Sequence, residues 1–181
     1  MDGSYFGEVG IGTITIFDCD SLEILETQVA TCPVHIPYVP TLLSFREIPP
    51  AMAGIRKLKV QPDVFLVDAH GWAQPYRCGF ASHLGLAIEK PTIGAAKSRL
   101  IGDYVEKDGR MLLVDKGEVI GEVVAKKQGA KPVYVSIGHM VSLETATAIV
   151  KHCSKGRIPE PLLQAHILAA KERICVVDKA K

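Results

Sequence analysis

Val9 to Phe17 (VGIGTITIF) is the first long stretch dominated by β-branched and apolar residues, and it predicts a strand. Asp18-Cys19-Asp20-Ser21 follows as a turn, and Leu22 to Thr31 returns as a second strand. The pair predicts an antiparallel hairpin, with a shorter strand near Ser4–Phe6 before it. Leu42 to Lys59 has helical character, but Pro49-Pro50 should end one helical piece and start the next. Val64-Phe65-Leu66-Val67 is short and wholly apolar, the pattern of a parallel strand buried on both faces. Asp68 stands at its carboxyl end, where open α/β sheets place ligands. Phe80 to Glu89 predicts a helix and Pro91–Gly94 a short strand and turn. Met111–Val114 and Glu118–Ala125 predict two more strands, and Val133–Ser136 a last one, followed by a loop that holds His139. Ser142 can cap the next helix, with Glu144 in its first turn. Pro161 to Cys175 predicts the last helix and Asp178 to Lys181 a frayed tail.

A hairpin followed by alternating helices and strands predicts an α/β fold with a mixed sheet flanked by helices, in one domain over residues 1–181. That order resembles ribonuclease H-like domains. The length of 181 residues, with 48% apolar and 23% charged, suits a globular domain with a sizeable core and excludes a disordered chain. A formal net charge of +1 announces no nucleic-acid binder, although a local basic patch is compatible with it. Cys19, Cys32, Cys78, Cys153 and Cys175 form no C-x-x-C pair, which argues for reduced thiols in a cytosolic protein. No apolar run approaches the ~18 residues of a membrane helix, and Met1-Asp2-Gly3-Ser4-Tyr5 has no signal pattern. A soluble, cytoplasmic chain with no membrane contact is expected.

Pro37-Tyr38-Val39-Pro40 sets an aromatic between two prolines just before a segment that carries Glu47. Fixed φ angles make Tyr38 a rigid knob, which suits an enzyme that pries at stacked bases. Asp2, Glu47 and Asp68 are acids from separate elements that could together hold a hard divalent cation. Lys97, in Gly94-Ala95-Ala96-Lys97-Ser98, could meet a phosphate, and His139 could shuttle a proton or orient a water. Taken alone each has an ordinary role: a strand terminus for Asp68, a solvated helix face for Glu47, surface positions for Lys97 and His139. His70 and His83 stand near Asp68 as supporting or structural residues. No zinc cluster, P-loop, nucleophile elbow or G-x-G-x-x-G fingerprint occurs.

Four blocks in order, PYVPTLLSFRE, PDVFLVDAHG with ASHLGL, PTIGAAKSRL and VYVSIGHMVSLETA, resemble the endonuclease V family over nearly the whole chain. The resemblance implies a ribonuclease H-like fold. It also implies Mg²⁺-dependent cleavage, with Mn²⁺ able to substitute, at the second phosphodiester 3′ to a deaminated base in DNA or RNA. Carried over by position, it makes Asp2, Asp68 and Glu47 the metal residues, and Glu47, Lys97 and His139 the catalytic residues. Tyr38 becomes the wedge between strands, and Thr41, Leu43, Ala69, Gly71, Phe80, Gly94 and Leu100 the pocket for the flipped base. No protein partner is implied. Family members usually have more chain before the first aspartate, so an N-terminal extension and the start of strand 1 are expected to be missing. The family commonly has Gly at Thr41 and Ala69, His at Gln74 and Pro at Ile137. These departures raise the alternative of a catalytically impaired inosine-binding protein. An RNA-preferring nuclease is a third reading.

Overall fold

The computed structural model describes residues 1–37, 39, 41–127 and 129–179. Its elements in chain order are β1 (Asp2–Phe6), β2 (Val9–Phe17), β3 (Ile24–Pro33), α1 (Leu43–Ile55), β4 (Phe65–Val67), α2 (Phe80–Ile88), β5 (Thr92–Ala96), β6 (Asp103–Lys107), β7 (Arg110–Asp115), β8 (Glu118–Val124), β9 (Val133–His139), α3 (Leu143–His152) and α4 (Glu160–Lys179). The chain divides into two compact units, Met1–Pro62 with Glu160–Lys181, and Asp63–Pro159.

In the first unit, β1, β2 and β3 form an antiparallel sheet in that order, with Asp2 opposite Thr13. The predicted hairpin turn is held by the Asp18 carboxylate, whose Oδ1 accepts from the Ser21 amide at 2.8 Å and the Ser21 hydroxyl at 2.9 Å. β2 is buried along almost its whole length because a helix covers each face. Successive strand residues point to opposite faces. Gly10, Gly12 and Ile14 meet α1, while Thr13 meets α4 and donates its hydroxyl to the Ala165 carbonyl at 3.0 Å.

The break expected at Pro49-Pro50 does not occur, because α1 runs through both prolines. The rings hold φ near its helical value, so the cost lies in lost donors and crowding of the preceding turn. Packing offsets it. Pro50 is buried, and glycines lie beneath it: a Cβ on Gly10 would stand 3.1 Å from its ring Cγ, and one on Gly12 2.2 Å from its carbonyl oxygen.

In the second unit six strands run in the order β4-β5-β9-β8-β7-β6. β4 and β5 are parallel, with Val67 opposite Gly94, and the other neighbours are antiparallel. This is the mixed α/β architecture that the element order implied. Leu113, Ile120, Tyr134, Ala73 and Ala96 pack together as a core cluster. Four local expectations change. Gly94 lies inside β5 rather than in a turn. β6 was not foreseen, since DYVEK is an exposed edge strand with no apolar face to read. β9 continues through Ile137 and Gly138 to His139, which is therefore not in a loop. The final helix extends to Lys179, so Asp178 is helical instead of frayed. Ser142 caps α3 as expected, its hydroxyl accepting from the Thr145 amide at 3.1 Å. Among the described residues no helix is long and apolar enough to cross a membrane.

Replacing Gly12 with Ala should lower stability by about 3 kcal/mol, because the new methyl meets backbone that cannot rotate away. Urea unfolding of Gly12→Ala measures this, and an unchanged midpoint would contradict the packing described for β2 and α1.

Candidate functional site

Parallel pairing brings the carboxyl ends of β4 and β5 to one edge of the second unit. Asp68 directly follows β4 and Lys97 directly follows β5. The Lys97 ammonium lies 2.5 Å from Asp68 Oδ2, with the Asp68 side chain only 10% exposed. The next residue is tied down as well, for His70 Nε2 donates to the Ser98 carbonyl at 2.9 Å. Burial pushes the His70 imidazole below its ordinary value of 6.5, which favours the neutral ring.

The loop after Asp68 lies against backbone on both sides. A Cβ on Gly94 would stand 2.6 Å from the Ala69 carbonyl oxygen and from the Gly71 amide. One on Gly71 would stand 2.1 Å from the Ile137 carbonyl oxygen. The Gly71 amide donates to the Ser136 hydroxyl, and the Gly71 carbonyl accepts from the Gly79 amide, both at 2.9 Å. The Ala81 amide donates to the His70 carbonyl at 3.1 Å, which docks the first turn of α2 and its buried Phe80 on this loop. Ala69, Gly71 and Gly94 are thus brought into direct approach, with Phe80 at the adjoining helix start. Leu100 is exposed beyond Lys97. Gln74 is buried, and its side-chain oxygen accepts the Tyr76 amide at 2.6 Å, shaping the turn that follows.

His139 is not with this group. It pairs with Thr92 at the start of β5, while Lys97 follows the other end. Five strand residues at ~3.3 Å each separate them by about 16 Å along the sheet. Its ring packs over Gly85 of α2, where a Cβ would stand 2.3 Å from His139 Cβ. His139 therefore lies at the end of β9 that pairs with the start of β5, apart from Lys97 along the sheet.

In the first unit, Asp2 opens β1 and its Oδ2 lies 2.7 Å from His166 Nδ1 on α4. Asp2 Oδ1 accepts the Gly3 amide at 2.8 Å. Glu47 on α1 lies over the same strand: a Cβ on Gly3 would stand 3.1 Å from Glu47 Oε2. Burial, and then the Glu47 charge, raise the Tyr5 phenol far above its ordinary pKa. Arg46 sits 4.4 Å above the Tyr5 ring. Two expected metal residues thus converge on the start of β1. His166 was missed by sequence reasoning. It borders the buried stripe Leu162, Ala165 and Ala169, and no spacing names Asp2 as its partner. Leu43 is the first residue of α1, and Thr41 precedes it exposed at φ 70°. Tyr38 lies outside the described residues. Carboxylate oxygens are the donors that Mg²⁺ and Mn²⁺ prefer, so Asp2 and Glu47 in the first unit, and Asp68 in the second, each have the donor chemistry for such an ion.

The sequence matches the family model described as Endonuclease V over residues 1–167. The chain belongs to the endonuclease V family. It is 42% identical over 172 residues to an endonuclease V of Thermofilum pendens, covering 93% of this chain and 74% of that one. The crystal structure of endonuclease V from Streptomyces avermitilis aligns with a TM-score of 0.91 at 33% identity, over 97% of this chain and 80% of that chain. Ciona intestinalis endonuclease V, solved with a 24mer DNA containing an inosine followed by a ribo-adenosine, aligns with a TM-score of 0.85 at 32% identity, over 97% and 86% of the two chains. Endonuclease V membership makes this chain a nuclease of the hydrolase class.

Ala69 adopts an ordinary backbone, but Thr41 occupies the left-handed region. A β-branched residue there costs roughly 1–2 kcal/mol. Glycine would relieve it while losing about 0.5–1 kcal/mol of chain entropy. Thr41→Gly should therefore raise the melting temperature by about 2 °C. A lower melting temperature would show that Thr41 side-chain contacts outweigh the strain.

Proposed function

We propose that this chain hydrolyses the second phosphodiester 3′ to hypoxanthine in DNA, leaving 3′-hydroxyl and 5′-phosphate ends, as a step of repair. The observation that carries the reading is the Asp68–Lys97 pair at two adjacent strand ends, in a chain of this family. The inosine-containing DNA held by the Ciona relative supports the substrate class. By the resemblance, Asp2, Asp68 and Glu47 would hold Mg²⁺, with Mn²⁺ able to substitute. Bound there, the ion would polarise a non-bridging phosphate oxygen and lower the pKa of the attacking water.

The chain's own groups do the rest. A water oxygen attacks phosphorus, the P–O3′ bond breaks, and the released 3′-oxygen takes up a proton. Lys97 places a positive charge where negative charge grows on the phosphate, the kind of contact worth about 10²–10³ in rate. His166 keeps the Asp2 carboxylate oriented through its 2.7 Å contact. Tyr38 fills the space vacated by the flipped base, which offsets an unstacking cost of a few kcal/mol. Thr41, Leu43, Ala69, Gly71, Phe80, Gly94 and Leu100 receive that base. A second reading concerns the sugar: a ribo-adenosine follows the inosine in the Ciona complex, so a ribonucleotide at that step is a fitting substrate.

The test is cleavage of a single-inosine duplex, an inosine-free duplex, and a duplex with one ribonucleotide after the inosine, with Mg²⁺ and with chelator. Nicking should require both inosine and metal and should map to the second phosphodiester. Asp68→Ala should lose at least about 10³ of the rate. Equal nicking of both all-deoxy duplexes, or an undiminished Asp68→Ala, would overturn the proposal.

A further inference from the structure

Arg157 lies in the turn between α3 and α4 and has no part in the roles assigned so far. Its guanidinium reaches two strand termini. Nη2 donates to the Lys97 carbonyl at 2.7 Å and to the Pro132 carbonyl at 3.1 Å, and Nε donates to the Pro132 carbonyl at 3.2 Å. Pro132 immediately precedes β9, whose Tyr134 pairs with Ala96 at the end of β5. One planar fork therefore fastens the entry of β9 to the residue that leaves β5. An arginine does this better than a lysine because its donors are fixed in one plane.

The consequence falls on Lys97. Its carbonyl is held by Arg157, the next carbonyl by His70, and its ammonium by Asp68. A lysine side chain loses up to about 2 kcal/mol of rotamer freedom when ordered, so a wandering backbone would spread its ammonium over many positions. A fixed Cα lets the same side chain return to one place, and an error of ~1 Å in such a group can cost about 10²-fold in rate.

We infer that Arg157 is a positioning residue that pins the Lys97 backbone and so aims the Lys97 ammonium at the reacting phosphate. This inference rests on the role proposed above for Lys97. The rival is direct phosphate contact, since Arg157 is exposed. The two make different predictions.

The test compares full-length Arg157→Ala, Arg157→Lys, Lys97→Ala and the Arg157→Ala/Lys97→Ala double variant. Three readouts apply: single-turnover nicking of the inosine duplex at saturating enzyme, duplex binding in chelator across a salt series, and acylation of Lys97 in metal-free protein followed by mass spectrometry. Arg157→Ala should slow nicking about tenfold with the Kd changed less than about twofold, and the double variant should be no slower than Lys97→Ala alone. Arg157→Lys keeps the charge without the fork and should behave like Arg157→Ala. Lys97 should acylate several-fold faster in both Arg157 variants. That last readout needs no turnover, so it decides whether Arg157 pins Lys97 even if the wild-type protein fails to cut and the proposed function falls. Multiplicative losses in the double variant, a full-rate Arg157→Lys, unchanged Lys97 labelling, or a loss confined to affinity with a reduced salt slope would each overturn it.

Discussion

The ion pair between Asp68 and Lys97 sets two opposite charges at the ends of neighbouring parallel strands, and the chemistry proposed for the second unit depends on it. A largely buried carboxylate is costly unless it is paired or otherwise coordinated. Here parallel register supplies the partner, since Val67 opposite Gly94 brings both strands out at one edge. The same register requires Gly94, because any side chain would strike the Ala69 carbonyl and the Gly71 amide. Charge, glycine and register therefore act together: the register brings Asp68 and Lys97 out at one edge, and Gly94 lets the loop after Asp68 fold back against β5.

Around that pair the chain fixes positions mainly through its backbone. Gly71, Gly79, Trp72 and Ala81 dock the loop after Asp68 onto β9 and the start of α2 by main-chain hydrogen bonds. Side-chain tethers from His70 and Arg157 then hold Ser98 and Lys97. In the first unit a different device serves Asp2, with His166 on one carboxylate oxygen and the Gly3 amide on the other. The groups that the proposed function brings to a substrate are thus carried on strand ends and braced from neighbouring elements, as a preorganised site requires.

Much of this was legible in the chain. The β-branched run of β2, the apolar tetrapeptide before Asp68 and the Ser142 cap each carry a local physical signal, and each sits where that signal put it. The resemblance supplied the family, which the whole-chain match shows. The failures share a cause, which is that tertiary contacts decide them. Pro49 and Pro50 should break a helix, yet Gly10 and Gly12 of β2 make room for Pro50 inside one. β6 has no buried face and so no periodicity to read. His139 follows a glycine and looked like a loop residue, but pairing with Thr92 carries β9 through it and away from Lys97. His166 and Arg157 act on residues distant in sequence, Asp2 and Lys97, and no spacing rule joins them.

The most direct measurement of the central claim is the single-turnover nicking rate of Lys97→Ala on a single-inosine duplex, alongside its melting temperature. If Lys97 stabilises charge on the reacting phosphate, the rate falls by about 10²-fold or more while the protein stays folded. A folded Lys97→Ala protein that nicks within about twofold of wild type would contradict it and would leave Asp68–Lys97 as a structural ion pair.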